Sequence, residues 1–318
     1  MDLSIVATMY CSARYVETFL ERISETARSI TENFEIILVD DGSPDESLEI
    51  AKRLCGEYED LTVVELSKNH GHHRAMMIGL AQSCGEFVYL TDIDLEEPPE
   101  ILTKFWETHL NNPEIDVIFG VESKKDRPFV RKKLSGFFYA FFNALSTIKI
   151  SDRELLSRLM NRNFVQNLLR YREHSLFLPA VWTDTGFQQL SIEAPKTFDG
   201  FTTYSLKKRI TLAVDALTSF SAKPLVYVFY SGISISILAM FTIAYLVVQK
   251  LIIGTPLLGW TSLIATIFLM GGLILFSLGV IGIYISKIYL EVKSRPTEII
   301  RAIHTNQAAD NQTAQRDI

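Results

Sequence analysis

Three carboxylates recur at every second position shortly after an apolar run. Asp92, Asp94 and Glu96 follow residues 87–91, FVYLT, whose β-branched and aromatic side chains are typical of a buried strand. Alternate side chains of a strand point to one face, so an extended chain from Asp92 to Glu96 would bring the three carboxylates together. Clustered negative charges repel one another, and a divalent cation relieves that repulsion. The spacing therefore indicates a cation site.

Carboxylate oxygens are hard ligands that suit Mg²⁺ or Mn²⁺, and such ions commonly bridge one or two carboxylates to the phosphates of a substrate. The pattern thus favours chemistry on a nucleoside diphosphate. A second interpretation stays open, in which the acidic residues end a strand and favour the N-terminus of a helix that starts near Pro98. A D-x-D pattern is too short to decide between the two.

A second acidic pair, Asp40 and Asp41, comes directly after the apolar run at 34–39. In one interpretation Asp41 and Ser43 form an Asx-type turn that caps the next helix. In the other, one carboxylate binds the base of a nucleotide and the other binds its ribose, as acidic residues do after strands of dinucleotide-binding folds. Further along the chain, histidines 70, 72 and 73 lie close together in sequence but lack a recognised zinc spacing.

Alternating strands and helices must position these residues. Apolar runs at 3–8, 34–39, 61–66 and 87–91 predict four strands, and the segments between them carry apolar residues at helical spacing. This alternation predicts an α/β fold with a mostly parallel, twisted sheet that helices cover on both faces. Ligands of such sheets bind beyond the carboxyl ends of the strands. The polar segments MYCSAR, DDGSPD, SKNHGHHR and DIDLEEPP are expected to meet there.

Composition excludes other classes of function. The formal charge of −6 over 318 residues, without a basic stripe, argues against a nucleic-acid partner. The three cysteines, Cys11, Cys55 and Cys84, show no metal-ligand spacing and are expected to be reduced in a cytosolic compartment. The first ten residues have neither a basic segment nor an apolar core, so we interpret them as a strand and not as a signal peptide.

Two long uncharged runs follow residue 225. Residues 226–248 would span about 34 Å as a helix, enough to cross a bilayer, and residues 258–285 form a second span. Lysines and arginines flank the pair on both outer sides, so the positive-inside rule places both termini in the cytoplasm. We therefore expect a catalytic domain at 1–222, two transmembrane helices within 223–290 and a cytoplasmic tail at 291–318, whose polar end is expected to be disordered.

Two basic and aromatic stretches precede the spans. Residues 131–145 open with Arg131, Lys132 and Lys133 before a run rich in phenylalanine, and residues 205–220 repeat the arrangement. Helices of this kind lie in the headgroup layer of a membrane. The alternative that both are ordinary core helices stays open.

Several motifs in order resemble those of family 2 glycosyltransferases. They are SIVATMY, VDDGSPD, LSKNHGHHRAMMIGL, YLTDIDLEEPPE, RPFVRKKLSGFFYAFFN, SRLMNRNFV, GFTTYSLKKR and SFSAKPL, from about residue 3 to residue 296. The chain is similar to the branch that contains dolichol-phosphate mannose synthase and the bacterial polyprenyl-phosphate glycosyltransferases. The resemblance implies a GT-A fold, a Rossmann-like domain, followed here by a two-helix transmembrane hairpin.

The resemblance also assigns roles to individual residues. It implies that Asp92 helps to place both nucleotide and metal, and that Asp94 and Glu96 are ligands of Mg²⁺ or Mn²⁺. The residues implied to bind the nucleotide are Thr8, Tyr10, Asp40, Asp41, Asn69 and Asp92. The residues implied to bind the acceptor phosphate are Arg127, Arg131 and Ser135, with Arg131 counted among the catalytic residues beside Asp92 and Asp94.

The function implied is inverting transfer of a sugar from a nucleotide-sugar donor to a polyprenyl-phosphate acceptor at the cytoplasmic face of the plasma membrane. Two alternatives stay open, an enzyme that extends a lipid-diphosphate-linked saccharide and a membrane module that binds a sugar nucleotide without catalysis. The two transmembrane helices make membrane lipid an expected partner. Relatives often self-associate, so further copies of the chain are expected partners too.

Overall fold

The computed structural model describes residues 1–122, 153–174, 176–195, 222–253, 259–296 and 298–306. These residues fall into two compact units. The first contains residues up to 195 together with those from Arg295 onward, and the second contains residues 222–294.

The first unit alternates strands and helices over its first half. Its strands are β1 (Leu3–Met9), β2 (Phe34–Asp40), β3 (Leu61–Leu66), β4 (Phe87–Asp92), β5 (Val117–Glu122), β6 (Glu154–Asn161), β7 (Gln189–Ala194) and β8 (Ile300–His304). Its helices are α1 (Val16–Arg28), α2 (Ser47–Cys55), α3 (His72–Gln82), α4 (Ile101–Asn111), α5 (Arg162–Leu168) and α6 (Leu178–Asp184).

The described strands form one sheet in the order β7-β5-β6-β4-β1-β2-β3-β8. The four predicted strands lie side by side in its centre, and all three contacts among them are parallel. Strand β6 runs antiparallel to both β4 and β5, while β7 is parallel to β5. The prediction of a mostly parallel sheet in an α/β fold is thus confirmed.

The centre of the sheet is covered on both faces, because every residue of β1 is buried. One face packs against α1, whose apolar residues at helical spacing include Val16, Phe19 and Leu20, all fully buried. The other face packs so closely on α3 that a Cβ atom on Gly79 would lie 2.4 Å from a methyl group of Val6. With its faces covered, the sheet exposes its loops at the carboxyl ends of the strands.

Strand β8 completes the sheet from the far end of the chain. It runs antiparallel to β3, with Val63 opposite His304 and Val64 opposite Ile303. The buried residue Glu65 contacts nitrogen atoms of three side chains at 3.1 Å, those of Lys52, Arg301 and His304. The segment expected to be a tail therefore contributes a strand to the first unit.

The second unit consists of two long apolar helices that contact each other, α7 (Lys223–Ile253) and α8 (Trp260–Lys293). Within them, Lys223–Thr242 and Thr266–Lys293 are long and apolar enough to cross a membrane, with mean hydropathies of 1.8 and 2.3. Their large apolar side chains are exposed along both helices.

Candidate active site

The acidic segment after β4 turns instead of continuing as a strand. β4 ends at Asp92, and Leu95 adopts a left-handed backbone with φ of 59°. The backbone N–H of Glu96 donates to Oδ1 of Asp94 at 2.9 Å, which closes a tight turn. The prediction of an extended strand from Asp92 to Glu96, with three carboxylates on one face, is therefore wrong.

The next carboxylate, Glu97, fastens this acidic loop to β6. It is 8% exposed, and its two oxygens accept backbone N–H groups of Leu156 and Ser157 at 3.1 and 3.0 Å. Hydrogen bonds to an ionised acceptor are among the stronger ones. We did not assign a role to Glu97 from the sequence, where it is one more acid in an acidic run. Its burial shows that it positions the loop.

Asp92 meets two side chains from other elements. Thr8 lies opposite Asp92 in the parallel ladder of β1 and β4, and its hydroxyl donates to Oδ1 of Asp92 at 3.2 Å. Nε2 of His72, at the start of α3, lies 3.5 Å from Oδ2 of the same carboxylate. Nδ1 of His72 lies 3.1 Å from the Thr8 hydroxyl. The structure thus brings the predicted residues Thr8 and Asp92 together and adds His72.

The pKa values of the two histidines at the start of α3 are shifted in opposite directions. Burial would lower the pKa of His72, but the charge of Asp92 and a hydrogen bond to it outweigh burial, so this pKa is raised. Burial, reinforced by the charge of His72, lowers the pKa of His73 to about 4. His73 is neutral at pH 7, and its Nδ1 lies 3.3 Å from the carbonyl oxygen of Leu176.

Asp41 joins the loop after β2 to the loop after β3. Its carboxylate accepts the backbone N–H groups of His70 at 2.6 Å and Gly71 at 3.0 Å. Next to it, Gly42 has a φ of 67°, and a Cβ atom there would lie 2.6 Å from the backbone nitrogen of Asn69. Burial raises the pKa of Asp41 more than the two hydrogen bonds lower it. Asp41 therefore organises the polar loop in which Asn69 lies.

Asp40 is 1% exposed and accepts the backbone N–H of Ser43 at 3.2 Å, so the turn with Ser43 is held by Asp40, and not by Asp41 as one interpretation of the sequence predicted. Burial raises its pKa. Tyr10, by contrast, is 50% exposed, and Asn69 is exposed as well. Of the residues implied to bind a nucleotide, Tyr10 and Asn69 are therefore exposed, whereas Asp40 and Asp41 are buried and hold turns.

The described residues contain no ready-made cluster of three His, Cys, Asp or Glu side chains arranged around a metal ion. Asp92, Asp94 and Glu96 are nevertheless partly accessible, and their donor atoms are all oxygens. Mg²⁺ usually binds one or two carboxylates and completes its shell with substrate phosphates and water. The chemistry of this donor set fits an ion that arrives with a diphosphate.

Several predicted residues lie outside the described residues. These are Arg127, Arg131 and Ser135, the stretches at 131–145 and 205–220, and the end of the chain after residue 306.

Comparison with known proteins places this site in a family. The model of "Glycosyl transferase family 2" matches residues 4–172. A Mycobacterium tuberculosis protein classed among glycosyltransferases is 39% identical over 304 residues, which cover 96% of this chain and 89% of that protein. The glycosyltransferase YkcC of Bacillus subtilis is 33% identical, with 95% and 94% of the two chains covered.

A bactoprenol glucosyl transferase of Shigella flexneri is 29% identical, with 96% of this chain and 99% of that protein covered. Similar solved structures include a mannosyltransferase of Pyrobaculum calidifontis in complex with GDP-Man and Mn²⁺. It is 15% identical with a TM-score of 0.47, and 91% of this chain and 84% of that chain are covered. The family match, which includes Thr8, Asp41, His72, Asp92 and Glu97, shows that the chain belongs to glycosyltransferase family 2.

Proposed function

We propose that this glycosyltransferase moves a sugar from a nucleoside-diphosphate sugar to a polyprenyl monophosphate at the cytoplasmic face of a membrane, with inversion at the anomeric carbon. One observation carries the proposal. A single chain combines an acidic, polar site at the carboxyl edge of a sheet with two helices that are apolar enough to cross a membrane. The similarity to a bactoprenol glucosyl transferase along almost the full length of both proteins supports it.

The donor nucleotide binds over the loops after β1, β2 and β3. Tyr10 presents an exposed aromatic ring, and the next residue, Cys11, donates its backbone N–H to the hydroxyl of Ser43 in the turn that Asp40 holds. Asp41 fixes the backbone of the loop that carries Asn69. In this arrangement the buried acids set the shape of the nucleotide site, and the accessible side chains contact the nucleoside.

Asp92, Asp94 and Glu96 would hold Mg²⁺ or Mn²⁺ against the diphosphate of the donor. When bound, the ion supplies positive charge that stabilises the departing nucleoside diphosphate. The protein positions these carboxylates through the Asp94 turn and through the attachment of Glu97 to β6.

The acceptor phosphate is the nucleophile. It is already anionic near neutral pH, so its oxygen can attack the anomeric carbon without a general base. The bond from that carbon to the donor phosphate breaks as the new bond forms on the opposite face, which inverts the configuration. Arg127, Arg131 and Ser135 are proposed to bind the acceptor phosphate, because guanidinium groups pair well with phosphate oxygens.

The connectivity of the chain supports a cytoplasmic location for both termini. β8 follows the two apolar helices and yet pairs with β3 of the catalytic sheet. If both helices cross the membrane, the chain leaves and returns on one side, as this pairing requires. The flanking lysines and arginines favour the cytoplasm as that side.

A transfer assay tests the proposal. Detergent-purified protein is incubated with undecaprenyl phosphate, Mn²⁺ or Mg²⁺ and a panel of nucleotide sugars, and lipid products are identified by mass spectrometry. We expect one donor to yield a lipid-phosphate-sugar, and Asp94→Asn to abolish it. Asp60→Asn, an exposed aspartate at the start of β3, is the matched control and should retain activity. Product only with a saccharide-bearing lipid diphosphate, or binding of nucleotide without any product, would reject the proposal.

A further inference from the structure

His72 contacts a residue of the acidic site, although its motif did not assign it a role. We infer that His72 is a positioning residue for Asp92, and that together with Thr8 it holds this carboxylate in the orientation required by the donor nucleotide and its cation. The inference rests on the proposed function and adds to it a residue that acts through Asp92.

Both oxygens of the Asp92 carboxylate have a partner side chain. Its Oδ1 accepts the Thr8 hydroxyl at 3.2 Å, and its Oδ2 faces Nε2 of His72 at 3.5 Å. Each oxygen therefore has its own partner, on a different element of the fold. A carboxylate held at both oxygens is restricted in rotation about its side-chain bonds, as a preorganised ligand must be. Without His72, Oδ2 would lose this neighbour.

The backbone that carries His72 is itself fixed. α3 begins at His72, directly after Gly71, whose φ of 96° is accessible to glycine. Asp41 accepts the backbone N–H of Gly71. On the other side of His72, the ring of His73 packs 5.7 Å from that of Phe177. The His72 side chain remains 47% exposed, so its placement comes from the anchored helix start and not from burial.

A shared cation site for the three neighbouring histidines does not fit these contacts. Nε2 of His70 lies 3.3 Å from the Ser67 hydroxyl, and Nδ1 of His73 lies 3.3 Å from the Leu176 carbonyl. Only His72 of the three is described in contact with Asp92. The imidazole also suits a bridge, because Nδ1 reaches Thr8 while Nε2 reaches Asp92.

The test measures binding as well as transfer, on the full-length protein. Dissociation constants are determined for UDP, GDP and dTDP in the presence of Mn²⁺, for wild type, His72→Leu, His72→Gln, Asp92→Asn and the double variant His72→Leu with Asp92→Asn. We expect His72→Leu to weaken binding of the preferred nucleotide about tenfold, and His72→Gln to recover part of the loss because its amide can still donate. Melting temperatures should stay close to wild type, since His72 is half-exposed.

The double variant separates a positioning role from an independent one. If His72 acts through Asp92, its loss costs little more once Asp92 is Asn, so the two effects are not additive. His109→Gln is the control for loss of a histidine elsewhere, because His109 lies on α4 with its ring 4.3 Å from that of Phe87, and this variant should bind nucleotide as wild type does. Additive effects, or unchanged binding by His72→Leu, would overturn the inference while leaving the proposed function intact. Wild-type protein that binds none of the three nucleotides would overturn both.

Discussion

The carboxylate of Asp41 lies 2.6 Å from the backbone nitrogen of His70, across 29 residues of sequence. The second oxygen of the same carboxylate accepts the next N–H, that of Gly71. The polar loops after β2 and β3 are therefore one structural piece, fixed by a buried side chain at its centre. Changes to this piece are expected to alter nucleotide affinity before they alter the sheet below it.

Replacing Asp41 tests this coupling. Asp41→Ala removes both acceptor oxygens and leaves the N–H groups of His70 and Gly71 without them. Each lost hydrogen bond is expected to lower the free energy of unfolding by about 1–3 kcal/mol. We expect a melting temperature several degrees lower and a nucleotide dissociation constant raised at least tenfold. Asp41→Asn keeps one acceptor oxygen and should fall between Asp41→Ala and wild type. Titration with UDP, GDP and dTDP together with thermal unfolding measures both effects, and Asp60→Asn serves as the control.

Gly42 provides a steric test of the same contact. An added Cβ atom would lie 2.6 Å from the backbone nitrogen of Asn69, and the φ of 67° disfavours any residue with a side chain. Gly42→Ala is expected to destabilise the protein by about 1–3 kcal/mol and to push the two loops apart. Gly56→Ala is the matched control, because Gly56 has an ordinary φ of −74° and its Cβ would lie 3.3 Å from its nearest neighbour. Equal stability of the two variants would contradict the prediction.

His73 makes stability depend on pH. Its pKa is lowered to about 4 in the folded chain, whereas an unfolded histidine titrates near pH 6.5. Between these values the unfolded state binds a proton that the folded state does not, so the free energy of unfolding falls as pH drops from about 6.5 to about 4. Below pH 4 this residue contributes no further loss.

We expect His73→Phe, which keeps a ring beside Phe177, to show a shallower decline of melting temperature over this interval. Identical pH profiles for the variant and wild type would show that His73 is not the group responsible. The comparison uses the difference between the two profiles, because acidic residues contribute equally to both.

Glu65 stabilises the attachment of β8 to the sheet. Burial would raise its pKa, but hydrogen bonds from His304, Lys52 and Arg301 outweigh burial and lower it. A lowered pKa means that this stabilisation is fully present above the ordinary value of 4.5 and is lost as pH falls below it. At pH 7, Glu65→Gln should therefore lower the melting temperature, and the difference from wild type should shrink below pH 4.5.

Glu49→Gln is the control for Glu65, because Glu49 also pairs with Lys52 but its side chain is 75% exposed. Exposed ion pairs contribute little to the free energy of unfolding, so this variant should have the same melting temperature as wild type. An equal loss in both variants would point to Lys52 alone, and not to β8, as the source of the effect.

The central fold follows from local patterns, and its exceptions have local causes. Each of the four predicted strands matches β1 to β4 within one residue at its carboxyl end, because an apolar run buried on both faces marks the strand directly. Alternation of carboxylates after Asp92 suggested that β4 continues. β4 instead ends at Asp92 and is followed by a turn in which Leu95 is left-handed, and leucine gives no sequence signal for such a conformation.

Site residues could be predicted where they directly follow strands. Thr8 and Asp92 come together because β1 and β4 are neighbours, which the order of strands along the chain does not reveal. His72 reaches Asp92 from the start of a helix, and Glu97 turns inward from an acidic run. The sequence predicted that the two loops with His72 and Asp92 meet, but the individual side-chain contacts of His72 and Glu97 depend on tertiary packing that residue type and spacing do not specify.

Strand β8 sets the order in which the protein can be completed during translation. Arg301 pairs with Glu65 from 236 residues further along the chain, after both apolar helices have been synthesised. At typical elongation rates of about 5–20 residues per second, the edge of β3 therefore emerges roughly 10–50 seconds before its partner. An open strand edge is a template for pairing with other chains. Synthesis of the two apolar helices thus precedes closure of the catalytic sheet, and a nascent chain that stalls before Ile300 leaves that edge open to aggregation.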